Sequence, residues 1–314
     1  MDIMSVTVFF RSYFNKNKAY LKEIGMETVF LFDGNYILRR SFYGVPELKT
    51  ASGFPINAIK GTLNQILYIK NTYKPEKMIV AYDSNKPTFR HMMYNEYKST
   101  REAAPEDFIK QYNVVSEILG IMGISVVKKE GYEADDIIGT IAKKESEKGN
   151  KVYIVSADHD MLQLINQNVF LYVPANNTQT IWTEKEVFNV YGVTPKQFTD
   201  VKALMGDKSD NIPGILGIGE KTACKLIAQY GSLMGIYISI KDISNKRVMA
   251  KLINGWKDVI LSRTLIEIKQ DVQLGEYDGR VPDDMLNNIS RRILEIYELE
   301  SIINILEKGG IVRL

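Results

Sequence analysis

The sequence predicts an α/β protein, with a mostly parallel twisted sheet flanked by helices and a smaller helical unit after it. From Thr28 to about Tyr172, short β-branched or aromatic runs alternate with helical patterns, as they do where crossover helices join parallel strands. Three of those apolar runs end in aspartate. Beyond Gly206 the chain becomes glycine-punctuated and then helical.

In chain order, Val29 to Phe32 leads into Asp33, Met78 to Tyr82 into Asp83, and Val152 to Val155, through Ser156 and Ala157, into Asp158. Parallel strands point the same way, so their carboxyl ends share one edge, where open α/β folds place ligand sites. The three aspartates are therefore expected to converge. Between the second and third runs, a helix is expected after Gly131, running through Ile137, Ile138 and Ile141 and carrying Glu133, Asp135 and Asp136 at its start. Glu133 and Asp136 share one face of it. A polar turn at Asn176 and Asn177 and a helical stretch from Glu184 to Tyr191 lead to the glycine-rich region, Gly206 to Gly219. From Lys221 onward apolar residues recur at helical spacing, and Lys241, Lys246, Arg247, Lys251 and Lys257 make a locally basic stretch. Residues 1–25 form a poor secretory signal and read as a peripheral leader.

Bulk properties narrow the function classes. The 314 residues are 45% hydrophobic and 25% charged, an ordinary globular balance. Apolar runs are only a few residues long, far short of the roughly 20 a bilayer span needs, so no membrane association is expected. Forty basic and 38 acidic residues leave a formal charge of +2, so a nucleic-acid partner must be sought in local clusters. A single cysteine, Cys224, excludes an internal disulfide, and with only His91 and His159 beside it a Cys/His zinc site is not expected. A reducing, cytoplasmic setting fits this composition. His159 and Cys224 lack partners for nucleophilic catalysis and are read as structural.

Asp160, two residues beyond Asp158, and Asp207 and Asp210 in Gly206-Asp-Lys-Ser-Asp-Asn211 bring the candidate carboxylates to nine. Each alone has an ordinary role as a helix cap or turn residue. Their shared placement favours another: two carboxylates about 5 Å apart repel by roughly 3 kcal/mol at an effective dielectric near 20, which capping alone would not offset. Oxygen-only ligands suit hard cations such as magnesium or manganese. A pair of such ions about 3.5 to 4 Å apart activates water and stabilises both oxygens of a phosphate displacement, so phosphodiester hydrolysis is the expected chemistry.

Two further segments point to nucleic acid. Between Lys86 and Asp107, Lys86, Arg90, Lys98 and Arg101 interleave with Phe89, Tyr94 and Tyr97. Following Asp83 directly, the segment is expected to overhang the acidic edge, with Lys98 and Arg101 on a phosphate and Tyr97 against an unpaired base. The alternative is a solvated surface helix. The run Gly214-Ile-Leu-Gly217-Ile-Gly219-Glu-Lys221-Thr222-Ala223 opens onto an apolar helical pattern and is expected to be a tight hairpin. Its glycines let backbone N–H groups approach phosphate, the helix start adds positive potential, and Lys221 adds a charge. A nucleotide-binding loop is excluded, because Glu220 separates Gly219 from Lys221.

Together these segments resemble the 5′ nuclease domain of bacterial DNA polymerase I and the related phage and flap endonuclease proteins. The resemblance runs from about Val29 to Ile227 through FDG at Phe32 to Gly34, YEADD at Tyr132 to Asp136, SADHD at Ser156 to Asp160 and GDKSDNIPGILGIGEKTA at Gly206 to Ala223. It implies a PIN-like core at 26–199, a helical arch at about 84–107, and a helix-three-turn-helix DNA-binding module with further helices at 200–314. It also implies that Asp33, Asp83, Glu133, Asp135, Asp136, Asp158 and Asp160 bind metal, that Asp207 and Asp210 complete a second ion's surroundings, and that a potassium ion sits at the hairpin. Lys98 and Arg101 would contact the scissile phosphate, Tyr97 would stack at the active site, and Arg90 would touch DNA. His159 stands where relatives often carry a basic residue. The expected enzyme is a monomeric, stand-alone 5′ nuclease acting on branched or 5′-ended DNA, and on RNA–DNA hybrids, beside a separate polymerase. The competing expectations are a non-catalytic branched-DNA-binding protein and a PIN-type ribonuclease.

Overall fold

A computed structural model describes residues 25–175 and 179–308. The leader, save Gly25, and the turn at Asn176 and Asn177 lie outside the described residues. Six strands form one sheet: β1 (Thr28–Asp33), β2 (Lys77–Ala81), β3 (Ser125–Val127), β4 (Lys151–Val155), β5 (Val169–Pro174) and β6 (Gln179–Trp182). Their spatial order is β3-β2-β1-β4-β5-β6. The first five are mutually parallel and β6 closes one edge antiparallel to β5.

Every residue of β1 is buried, as expected of a central strand covered on both faces. Successive side chains alternate between the faces. Phe30 and Phe32 join one core, with Ile59, Leu63 and Tyr73 of α2 (Asn57–Tyr73) and Val115 and Leu119 of α4 (Glu106–Ile121), beside α1 (Gly34–Gly44). Val29 and Leu31 join the other, with Ile137 and Ile141 of α5 (Ala134–Glu147), Val201 and Leu204 of α7 (Pro195–Met205) and Ile227 of α8 (Glu220–Tyr230). The helical stretch expected from Glu184 is α6 (Glu184–Tyr191), capped by Thr183.

Beyond α8 lie α9 (Leu233–Ile238), α10 (Lys246–Asn254) and α11 (Trp256–Ile266), and α11 packs against α7. The chain then returns to the sheet. Arg280 bridges to Lys77 of β2, and α12 (Asn288–Ile296) and α13 (Glu300–Lys308) place Leu294, Ile302 and Ile303 in the Phe30 core. The C-terminal helices thus belong to the sheet's packing and not to the hairpin module.

The arch segment is helical only over α3 (Phe89–Met93); residues 95–100 are turns, and Tyr94 and 101–105 are irregular. Pro87 and Pro105 bracket it, and Lys98 takes a left-handed φ of 56°, which breaks any helix there. No described helix is long and apolar enough to cross a membrane.

Candidate active site

The strand-end aspartates meet at the carboxyl edge of β1, β2 and β4. Asp33 caps α1, accepting from the Tyr36 amide at 2.9 Å, and its other oxygen accepts from the Ser156 hydroxyl at 2.9 Å. Asp83, just past β2, accepts from the Ala134 amide at 2.8 Å, which ties it to the start of α5 and so to Asp135. Asp158 caps a short 3₁₀ turn, accepting from the Asp160 amide at 2.8 Å.

Burial first, then the charges of Asp83 and Asp158, push the Asp33 carboxyl up to about 7. Asp135 is raised well above its ordinary value by burial, followed by the charges of Asp158, Asp33 and Glu133. Asp83 is raised chiefly by burial, with Glu133 adding to it. Charges that perturb one another in this way lie close together at this edge.

A second group gathers around Lys202, whose ammonium lies 2.8 Å from Asp160 and donates to Asp207 at 2.6 Å. Burial and Asp158 raise Asp160 to about 7, with Lys202 opposing. Burial would also raise Asp207, but the hydrogen bonds from Lys202 and Ser209 prevail and bring it to about 2. Sequence reasoning missed Lys202, because its two partners arrive from separate segments and only the fold brings them to one amine. It also missed Ser156, whose place inside SADHD was the available signal.

The arch lies down on the acids. Lys98 donates to Glu133 at 2.5 Å and stands 3.8 Å from Asp210, and Arg101 pairs with Asp210. The Tyr97 hydroxyl donates to Glu133 at 2.9 Å and to Asp210 at 3.2 Å. The Lys98 amide donates to the Asp210 carbonyl at 2.9 Å, and the Asn211 amide group to the Glu96 carbonyl at 2.9 Å. Lys98 and Arg101 thus reach the acidic edge. Tyr97, expected to stack on a base, is only 3% exposed here and presents its hydroxyl to the carboxylates.

Asp136 and Arg90 depart from the roles expected of them. Asp136 is 0% exposed and accepts two bonds from Arg90, at 2.6 and 2.8 Å, together with the amides of Glu133 at 3.1 Å and Lys269 at 2.9 Å. Its oxygens face these four N–H groups, so this geometry directs no lone pair to a metal. Arg90 is 2% exposed, which in this arrangement keeps it from DNA. Sharing a helical face with Glu133 suggested a ligand, but that face looks inward at Asp136.

The glycine run forms a tight turn between α7 and α8. Gly206, Gly214 and Gly217 have φ of 72°, 56° and 76°, conformations that favour glycine. A Cβ on Gly214 would collide with the Gly206 backbone. The Gly214 amide donates to the Ser262 hydroxyl at 3.0 Å, and Lys251 donates to the Gly217 carbonyl at 3.0 Å, so α10 and α11 brace the turn. Gly219 caps α8, and Gly219 and Lys221 are exposed at its start, with Thr222 partly so. His159 contacts the Tyr191 hydroxyl at 3.0 Å and packs on Trp182, and Cys224 is buried.

Among the described residues, no three acidic, histidine or cysteine side chains stand ready to bracket one ion. Glu133 and Asp210 are turned onto arch cations, and Asp160 and Asp207 onto Lys202. The donor set still suits a hard cation, because Asp33, Asp83 and Asp135 carry raised carboxyls with no ion pair among the described residues.

Two family models account for most of the chain: "5'-3' exonuclease, N-terminal resolvase-like domain" over residues 28–192 and "5'-3' exonuclease, C-terminal SAM fold" over 193–281. The chain belongs to the 5′-3′ exonuclease family. It is therefore an enzyme, a 5′ nuclease. A 5′-3′ exonuclease from Aquifex aeolicus is 36% identical over 285 residues, covering 90% of this chain and 96% of that one. DNA polymerase I of Mycobacterium tuberculosis strain H37Rv is 37% identical over 253 residues, 79% of this chain but only 28% of the polymerase. Among solved structures, the phage T5 D15 protein co-crystallised with metal ions matches with a TM-score of 0.65 at 22% identity, over 86% of this chain and 99% of that one. Human GEN1 in complex with Holliday junction DNA matches with a TM-score of 0.62 at 12% identity, over 87% of this chain and 68% of that one. These two likenesses concern the fold.

Proposed function

We propose that this 5′-3′ exonuclease hydrolyses phosphodiesters at the 5′ ends and flaps of branched DNA with two hard divalent cations, magnesium or manganese, in primer and flap removal during replication and repair. The observation that carries the reading is the gathering of Asp33, Asp83, Asp135 and Asp158 from four chain segments at one sheet edge, where three of them hold their protons unusually well. Asp33, Asp83, Glu133, Asp135 and Asp158 would hold one ion, and Asp160, Asp207 and Asp210 would complete the second. Bound there, such ions supply a water activated near neutral pH and a counter-charge for the leaving oxygen.

The protein's own groups do the rest. Lys98 and Arg101 leave Glu133 and Asp210 for the scissile phosphate, where they stabilise its developing charge. Tyr97, released with them, lies against the terminal base. The exposed turn around Gly217 and Gly219, with Lys221 and Thr222, tracks a duplex phosphate without reading sequence, while the buried Gly214, its amide taken by Ser262, holds the turn's shape, and a potassium ion there would serve the same end. Chemistry falls to residues 26–199 and duplex grip to the hairpin module within 200–314, whose last helices serve the sheet's packing instead. The reading extends to RNA–DNA hybrids, a monomeric cytoplasmic protein and a separate polymerase, in keeping with the polymerase I relatives.

Product mapping on a labelled 5′-flap substrate tests it. Magnesium-dependent release of short 5′ products is expected, abolished in Asp83→Ala and Asp158→Ala while flap affinity in chelator is kept. Undiminished cleavage in either variant would overturn it.

A further inference from the structure

Arg90 spends its whole guanidinium on protein. Its Nε donates to the Leu265 carbonyl at 2.7 Å, its two terminal nitrogens to Asp136, and one of them also to the Glu267 carbonyl at 3.1 Å. The other stands 3.2 Å from Glu133. Asp136 in turn accepts from the amides of Glu133 and Lys269. Three segments meet at this pair: the foot of the arch in α3, the start of α5 with Glu133 and Asp135, and residues 265–269 at the end of α11, the helix that braces the hairpin through Ser262. A buried ion pair is a poor way to gain stability compared with apolar packing, but its forked geometry fixes orientation.

We infer that Arg90 and Asp136 act as one positioning unit, which sets Glu133 and the foot of the arch relative to the hairpin module without touching metal or DNA. The inference rests on the two-ion reading proposed above. It differs from a pair of separate roles, in which Asp136 ligates metal and Arg90 grips DNA. Glu133 accepts from both Lys98 and Tyr97, so a shift of its side chain would displace the arch residues as well.

The test compares Asp136→Asn, Arg90→Gln and the double variant of the full chain on a labelled 5′-flap, with three measurements: kcat at saturating Mn2+ and DNA, Mn2+ affinity without DNA by calorimetry, and flap affinity in chelator. Residues that support metal ligands typically cost about 10- to 100-fold when changed, and members of one unit are not additive. Each single variant and the double are therefore expected to lose kcat and Mn2+ affinity alike, by about tenfold or more, with flap affinity shifted by less than about threefold. Arg90→Lys keeps the buried charge but not the fork, and stays informative should the other variants unfold. It is expected to lower kcat and Mn2+ affinity together, with flap affinity retained. Losses that multiply in the double variant, Mn2+ affinity that falls with Asp136→Asn but not with Arg90→Gln, flap affinity that falls with Arg90→Gln, or an intact kcat beside a lowered Tm would each overturn the inference. Asp83→Ala serves as the control: if it still cleaves fully, the two-ion reading fails instead.

Discussion

At the scale of single residues, carboxylates in this protein are perturbed in opposite directions, and the sign of each predicts a different response to pH. Asp33 is raised to about 7, chiefly by burial. Between its ordinary value and about 7 the folded state binds the extra proton, so the stability this group contributes falls as pH rises through that window. Asp33→Asn is therefore expected to gain in Tm on the wild type in chelator as pH goes from about 4 to about 7, measured by thermal unfolding. A difference that shrinks over this range would contradict the assignment. Glu145 behaves oppositely. Burial would raise it, but hydrogen bonds from Lys148, Lys77 and Asn150 hold its carboxyl below the usual range. Its stabilisation is complete above the ordinary carboxylate value and is lost as pH falls through the folded one. Glu145→Gln should lower Tm at neutral pH, with the deficit closing in acid. A deficit that widens in acid would refute this.

At the scale of elements, the hairpin between α7 and α8 depends on backbone that only glycine adopts easily. Gly214→Ala must accept both a positive φ and a collision with Gly206, so it is expected to cost upwards of about 1 kcal/mol and to weaken duplex binding in chelator. Denaturant unfolding and a duplex titration check this. Unchanged values in both would mean the turn relaxes freely. The hairpin was legible in the sequence because glycine spacing encodes backbone conformation locally. The strand-end aspartates were legible for a similar reason, since each follows its own apolar run. The joint of Arg90 with Asp136 was not, because its partners are 46 residues apart and its carbonyl acceptors lie about α11. Nor does the amphipathic pattern of α12 and α13 say which surface they cover, so their return to the Phe30 core was hidden. The arch was legible as a basic, aromatic overhang, but its downward set on Glu133 and Asp210 follows from tertiary pairing.

At the scale of the whole molecule, a formal charge of +2 supplies no global field, so in the proposed reading DNA affinity comes from local surfaces: the arch, the hairpin and the basic stretch around Lys251. Binding to a flap is therefore expected to weaken steeply with salt, by orders of magnitude between about 50 and 200 mM if several phosphates are contacted, and to vary little among duplexes of equal shape. Strong preference among such duplexes in a competition titration would contradict phosphate-led recognition. The account as a whole rests on acids from separate segments sharing a pair of ions. Diffraction from crystals of the full chain soaked in Mn2+, recorded for anomalous scattering, examines that claim most directly. Two peaks about 3.5 to 4 Å apart, bracketed by Asp33, Asp83, Asp135 and Asp158 with Asp136 still paired to Arg90, are expected. Peaks elsewhere on the surface, or none at this edge, would contradict it.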